Sequence, residues 1–207
     1  TRDFAFGLPK AELHLHLEGT LEPDLKLALA RKNGVDIGQS TVEEVQATYQ
    51  FNDLTSFLAV YYPAMDVLQD EDDFHDLAAA YFERARANGV VRAECFFDPQ
   101  AHTSRGIAIE TVIRGYHRAV VEAREAGLSA DLILCFLRDM SAQSALETLQ
   151  AALPYKDMFI GVGLDSDERD NPPTKFAEVF ALAREAGLHV TMHCDIDQVG
   201  SIDNIRA

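Results

Sequence analysis

Two histidines stand one residue apart in the run Leu-Pro-Lys-Ala-Glu-Leu-His-Leu-His-Leu-Glu-Gly, residues 8–19. Side chains alternate faces along a strand, so a strand here projects His14 and His16 to one side, about 7 Å apart, and Leu13, Leu15 and Leu17 to the other. Two neutral imidazoles so placed can grip a divalent metal such as zinc. The same spacing also suits two histidines that only satisfy hydrogen bonds, since His-x-His arises by accident. Other polar residues close later apolar runs: Asp98, Gln100 and His102; Asp165 and Ser166; His193, Cys194, Asp195 and Asp197. In folds built on parallel strands the site lies at the carboxyl ends of the strands, which would bring all of these to one rim. Three histidines and several carboxylates on one rim point to a metal site.

The elements that must position them are legible as short apolar runs bounded by glycine or polar turns: Glu12–Leu17, Val90–Asp98, Leu132–Leu137, Phe159–Asp165 and His189–Asp195. Several are apolar on both faces, the pattern of a parallel sheet covered by helices. Between them lie helical stripes: Phe74, Leu77, Tyr81 and Phe82; Ile109, Val112, Ile113, Tyr116 and Val120; Phe176, Val179, Phe180 and Ala183. The first opens on acidic residues and closes before Gly89, and the third has Pro172 and Pro173 at its entrance and Gly187 at its exit. Ala-Arg-Glu-Ala-Gly-Leu occurs twice, at 123–128 and 183–188, each time where a helix gives way to a strand. An additional helical stretch spans roughly residues 21–69. The β-α-β-α succession predicts an α/β domain with right-handed crossovers, a single domain over 1–207. About five strand–helix units are visible, whereas a (β/α)₈ barrel takes about 250 residues. The alternatives are a flavodoxin-like open sheet or the first part of a barrel.

Composition excludes several classes of function. The 207 residues carry 34 acidic against 18 basic side chains, a formal charge of −16. Binding phosphate backbones or anionic membranes needs clustered Lys and Arg, so neither nucleic acid nor a membrane surface is an expected partner. No run of about 18 apolar residues is present to span a bilayer, and the first residues lack the pattern of a signal peptide. Cys95, Cys135 and Cys194 are odd in number, far apart and set in apolar runs, which fits reduced thiols in a cytoplasmic protein. The absence of Cys-x-x-Cys removes the cysteine-ligated zinc site of the cytidine-type and tRNA-type deaminases. Self-association into a homo-oligomer is left open.

The chain resembles the adenosine/adenine deaminase family of the amidohydrolase superfamily. The opening run with His14 and His16 looks like its amino-terminal signature, supported by Phe96-Phe97-Asp98-Pro99-Gln100, Gly163-Leu164-Asp165-Ser166 and Thr191-Met192-His193. Phe-Phe-Asp-Pro-Gln, Gly-Leu-Asp-Ser and Asn171-Pro172-Pro173-Thr174-Lys175-Phe176 look most like the bacterial branch that includes adenine deaminases. The resemblance implies a (β/α)₈ TIM-type barrel of the metallo-dependent hydrolase kind, of which this chain covers about the first five βα units. It also implies one zinc per chain, with His14 and His16 as ligands from the first strand and His193 from the fifth. The family's remaining zinc aspartate and catalytic histidine would fall beyond Ala207, so a chain ending there is expected to be inactive.

The implied activity is hydrolytic deamination of a 6-aminopurine, adenine to hypoxanthine, with adenosine deamination or a non-catalytic binding barrel as alternatives. The family's strand-five histidine is normally followed by Ala-Gly-Glu, whose glutamate is the general acid; here the run is His193-Cys194-Asp195-Ile196-Asp197-Gln198. Aligning the following Val199-Gly200-Ser201 implies about two inserted residues and puts Asp197 in the acid's place, with Asp195 in reserve. Glu18 stands where the family's adenosine deaminases carry a ribose-binding aspartate; a longer carboxylate there favours a free base, or is a neutral swap. Ser166 falls near the segment that contacts the purine edge. Asp98 and Asp165 are read as bonding backbone amides at strand ends, His102 as solvent-facing or part of a lid, and His75 and His117 as surface residues on helices.

Overall fold

The structure is a computed structural model that describes residues 2–52, 54–194 and 200–206. Five parallel strands form one sheet: β1 (Lys10–His16), β2 (Val90–Phe97), β3 (Ser129–Leu137), β4 (Gly161–Asp165) and β5 (His189–Val190). They lie side by side in chain order, β1-β2-β3-β4-β5. A flavodoxin-like sheet reverses its strand order at a switch point. Unbroken sequential order is instead the winding of a barrel wall.

Helices lie between the strands. A short α1 (Arg2–Gly7) precedes β1, and α2 (Pro23–Asn33), α3 (Val42–Ala47) and α4 (Leu54–Ala64) fill the additional stretch after it. Then come α5 (Glu71–Ala87), α6 (Pro99–Thr103), α7 (Ile109–Glu125), α8 (Ala142–Ala152), α9 (Ala177–Glu185) and α10 (Ser201–Arg206). The acidic opening of α5 is a reciprocal cap: Asp70 accepts from the Asp73 N–H while the Asp73 carboxylate reaches back to the Asp70 N–H. Buried Asp73 also takes Lys32 at 2.7 Å and Asn33 at 2.7 Å, which pins α2 to the head of α5.

The predicted stripes are the core. Phe74, Leu77, Val112, Ile113, Tyr116, Val120, Phe176 and Val179 are all buried in one cluster between the helices and the outer face of the sheet. Gly115 lets α5 and α7 close up, because a Cβ there would sit 2.5 Å from Glu71 O and 2.6 Å from Phe74 Cβ. The sheet's other face carries a smaller cluster of Phe96, Ile133 and Cys135. Gly163 belongs to that face, where a Cβ would meet Cys135 Sγ at 2.6 Å. Burial on both faces explains why these strands read as continuous apolar runs.

Three sequence expectations need correction here. β1 pairs Glu12 with Ala93 but Leu15 with Cys95, so it holds one extra residue, a β-bulge. The bulge breaks the alternation: Leu15 and Leu17 pack on the helical side, while Leu13 is 54% exposed. β3 starts at Ser129 rather than Leu132, because the polar Ser129 and Asp131 are paired by Arg92 from β2. β5 is only two residues long, although Thr191 and His193 still donate backbone N–H bonds to Val162 and Leu164.

Candidate metal centre

The carboxyl ends of β1 and β5 bring three imidazoles to one point. His14 Nε2 lies 2.9 Å from His193 Nε2, and His16 Nε2 lies 2.8 Å from it. His14 and His16 alternate with Leu15 and so face the inner side together, and Phe96 from β2 forms their floor at ring-centroid distances of 4.9 and 5.0 Å. His193 is held by its own backbone, whose N–H donates to Leu164 O at 2.8 Å.

The electrostatics favour the neutral form of His193 and His14. Burial, then the neighbouring His16 and His14, brings His193 down to about 4. Burial and His16 also lower His14. A neutral imidazole offers one lone pair, and three such lone pairs meeting without a bridging carboxylate are the donor set a borderline divalent ion selects. The three ligand nitrogens lie within 4.8 Å of one another, so one small divalent ion could be shared among them. The donor set therefore fits a zinc-type ion.

Behind His16 lies a buried acidic pair that the sequence reading assigned to backbone amides. The structure gives the carboxylates a different partner. Asp165 Oδ2 is 3.3 Å from His16 Nδ1, and Asp98 Oδ1 is 4.0 Å from the same nitrogen. Asp98 makes no side-chain cap to α6. A proton on Nδ1, facing this acidic pair, would leave Nε2 free for a metal. Burial, reinforced by Glu18 and opposed by a hydrogen bond from Asp98, holds Asp165 up at about 7. Burial and the Asp165 charge raise Asp98 as well. Two carboxyls this close cannot both ionise, so they share a proton.

The other predicted residues fall as follows. Ser166 lines the cavity above the histidines, about 470 Å³, together with Phe57, Tyr61, Tyr62, Asp98 and Glu168. It takes a left-handed backbone with φ of 70° and accepts a hydrogen bond from the Tyr62 hydroxyl at 3.0 Å. Glu18 is 3% exposed, and its Oε1 accepts the Asp98 N–H at 3.1 Å and pairs with His102 Nε2 at 3.1 Å. Burial pushes the Glu18 carboxyl up, but the His102 contacts outweigh it and leave it below the usual range. Its Oε2 is buried without a hydrogen-bond partner, and the residue lines a neighbouring apolar hollow with Leu21, Phe57 and Tyr61.

His102 is thus fully buried, not solvent-facing. Gln100 turns away from the rim and caps the Leu137 N–H at 2.8 Å. His75 bridges α5 to α7 through Asp76 and Glu122, and His189 lies exposed at the far end of β5. Asp195 and Asp197 lie outside the described residues. Sequence reasoning missed Tyr61, Tyr62 and Phe57, whose i, i+4, i+5 spacing on α4 was the available signal. It also missed Arg138 and Glu168, which are discussed below.

Known proteins share this arrangement of strands. The model of the adenosine deaminase family matches residues 9–200. An adenine deaminase of Geotalea uraniireducens is 56% identical over 187 residues, 90% of this chain and 53% of its own length. The crystal structure of an adenine deaminase from Arthrobacter aurescens superposes with a TM-score of 0.91 at 48% identity, covering 96% of this chain and 60% of that one. An amidohydrolase from Burkholderia ambifaria, solved with bound zinc, superposes with a TM-score of 0.78 at 31% identity, over 93% of this chain and 53% of that one. The chain thus spans a little over half the length of these relatives. Five sequential parallel strands, the histidines at their carboxyl ends and the matched family model agree: the chain belongs to the adenosine deaminase family.

Proposed function

We propose that the protein hydrolyses the exocyclic amine of adenine, giving hypoxanthine and ammonia, with one zinc ion held by His14, His16 and His193. The observation that carries this reading is the convergence of the three Nε2 atoms beneath a 470 Å³ cavity. That size is within the range of small-ligand sites. When bound, zinc supplies a nucleophile of hydroxide strength at neutral pH, by lowering the pKa of a coordinated water toward about 7.

The chain's own residues do the rest. Asp165 orients His16 through Nδ1. Phe57, Tyr61 and Tyr62 line the cavity with aromatic surface suited to a purine ring and to excluding water. Attack at C6 of an aromatic ring needs a proton delivered to N1 at the same time, a task for a carboxylic acid among the residues that follow His193 in sequence. Asp197 takes that role, with Asp195 as the alternative. The amine then departs as ammonia. Ser166 and Glu18 are assigned to the substrate, Ser166 from the cavity rim and Glu18 from the neighbouring hollow. A glutamate rather than an aspartate at position 18 narrows the space a ribose needs, which favours the free base. Named adenine deaminases at 51–56% identity support the same choice. Three free cysteines support a reducing, cytoplasmic setting, and among the described residues no helix is long and apolar enough to cross a membrane.

The test is ammonia release from adenine and adenosine by the protein as the cell makes it. Adenine turnover that His16→Ala abolishes, with an unchanged circular dichroism spectrum, is the result expected. One zinc per chain with no turnover of any 6-aminopurine would overturn the function and spare the metal site.

A further inference from the structure

Arg138 is the largest side chain among the described residues that is completely buried. It stands immediately after β3, yet its bonds go to the ends of the next two strands. Its backbone N–H donates to Asp165 O at 3.0 Å, and its own carbonyl accepts Lys175 Nζ at 2.9 Å. The guanidinium donates from Nε to Asn171 O at 2.9 Å and from Nη1 to His193 O at 3.0 Å. Nη1 also lies 3.6 Å from Glu168 Oε2, a buried carboxylate of the cavity wall that accepts Asn204 of α10 at 3.3 Å through Oε1. The one nitrogen left over, Nη2, is buried with no hydrogen-bond partner among the described residues.

A buried cation with an unsatisfied nitrogen is a poor device for stability alone, since an apolar side chain would fill the space without desolvating a charge. What a guanidinium provides that an apolar chain cannot is a rigid planar fork reaching two carbonyls on different segments. Here the two segments are the loop after β4, met at Asn171, and the backbone of His193. The His193 backbone, which sets where its imidazole stands, therefore hangs from the Arg138 side chain, while Arg138 hydrogen-bonds Asp165 only through its backbone N–H. We infer that Arg138 is a positioning residue of the metal centre, setting the His193 ring through the His193 carbonyl without touching the ion. This rests on the metal-dependent reading of the site given above.

The experiment measures cobalt(II) and zinc binding to the protein as the cell makes it, unsubstituted and as Arg138→Met and Arg138→Lys. Zinc affinity comes from competition with a chelator, and ligand geometry from the visible absorption of the cobalt form. Arg138→Met is expected to weaken zinc about 10–100-fold, the usual cost of losing an outer partner of a metal ligand. Arg138→Lys keeps the charge but not the fork, so it is expected to fall between and to shift the cobalt band. Should Arg138→Met fail to fold, Arg138→Lys decides: zinc affinity within about twofold of the unsubstituted protein and an unmoved cobalt band would overturn the assignment. If the unsubstituted protein itself takes up no metal, the metal-centre reading fails first and the inference falls with it.

Discussion

Replacing Asp165 separates a metal centre from a chance meeting of histidines. Its Oδ2 is the nearest acceptor to His16 Nδ1, at 3.3 Å, with Asp98 at 4.0 Å beyond normal hydrogen-bond reach. Asp165→Asn keeps an oxygen facing Nδ1 but gives up the charge that the Asp98–Asp165 pair shares, so an interaction worth up to about 1.5–3 kcal/mol becomes a neutral one of about 0.5–1.5. The difference, roughly 1–1.5 kcal/mol, corresponds to about tenfold in zinc affinity at 1.4 kcal/mol per decade. Asp165→Ala removes the acceptor altogether and frees the ring to change tautomer, so its loss approaches 100-fold. Fold stability moves differently. Burial raises both carboxyls of the Asp98–Asp165 pair, with the Asp165 charge adding to the rise of Asp98 and Glu18 to that of Asp165. Putting a neutral amide in place of one buried carboxyl lowers the desolvation cost, and Asp165→Asn is expected to melt no lower than the unsubstituted protein. Chelator competition gives the affinity and thermal denaturation the stability. An Asp165→Ala protein that melts normally and binds zinc as tightly as the unsubstituted one would refute the orienting role.

Further outcomes follow from single contacts. Gly115→Ala puts a Cβ 2.5 Å from the Glu71 carbonyl, a backbone atom that cannot swing away, so it should cost at least about 1–3 kcal/mol by overpacking, read from urea denaturation. Phe74→Ala empties the fully buried centre of the α5–α7 packing and should cost about 3–5 kcal/mol in the same assay. Tyr62→Phe deletes the hydrogen bond to Ser166 and should change stability by only about 0.5–1.5 kcal/mol, while raising the KM for adenine more than it lowers kcat. Dialysis against a chelator should abolish ammonia release, and added zinc should restore it; activity that survives complete metal removal would contradict the proposed chemistry.

The apolar periods made the sheet and its covering helices legible, because parallel strands and amphipathic helices write those periods directly into the chain. The stripes Phe74-Leu77-Tyr81 and Val112-Ile113-Tyr116 are buried as read. The histidine triad was legible for a related reason: His14, His16 and His193 stand at strand ends, and the topology of the fold brings strand ends together. What escaped was set by partners distant in sequence. His102 looked like a loop residue because nothing near it announces Glu18, 84 positions away, as its ion-pair partner. Asp98 and Asp165 looked like local caps because their mutual contact, and the His16 edge they share, exist only once the strands are side by side. The bulge between Glu12 and Leu15 has no signature in the one-letter code, although it decides which leucine of β1 faces water. Arg138 gave no sign at all, being one arginine after one strand until the loops fold over it.

The central claim is that one ion joins three imidazoles, and anomalous diffraction at the zinc edge from crystals of the protein tests it most directly. A single peak about 2.0–2.1 Å from Nε2 of His14, His16 and His193 is the predicted result. A map with no peak among those rings, or with the metal bound elsewhere while they bond only to one another, would contradict it.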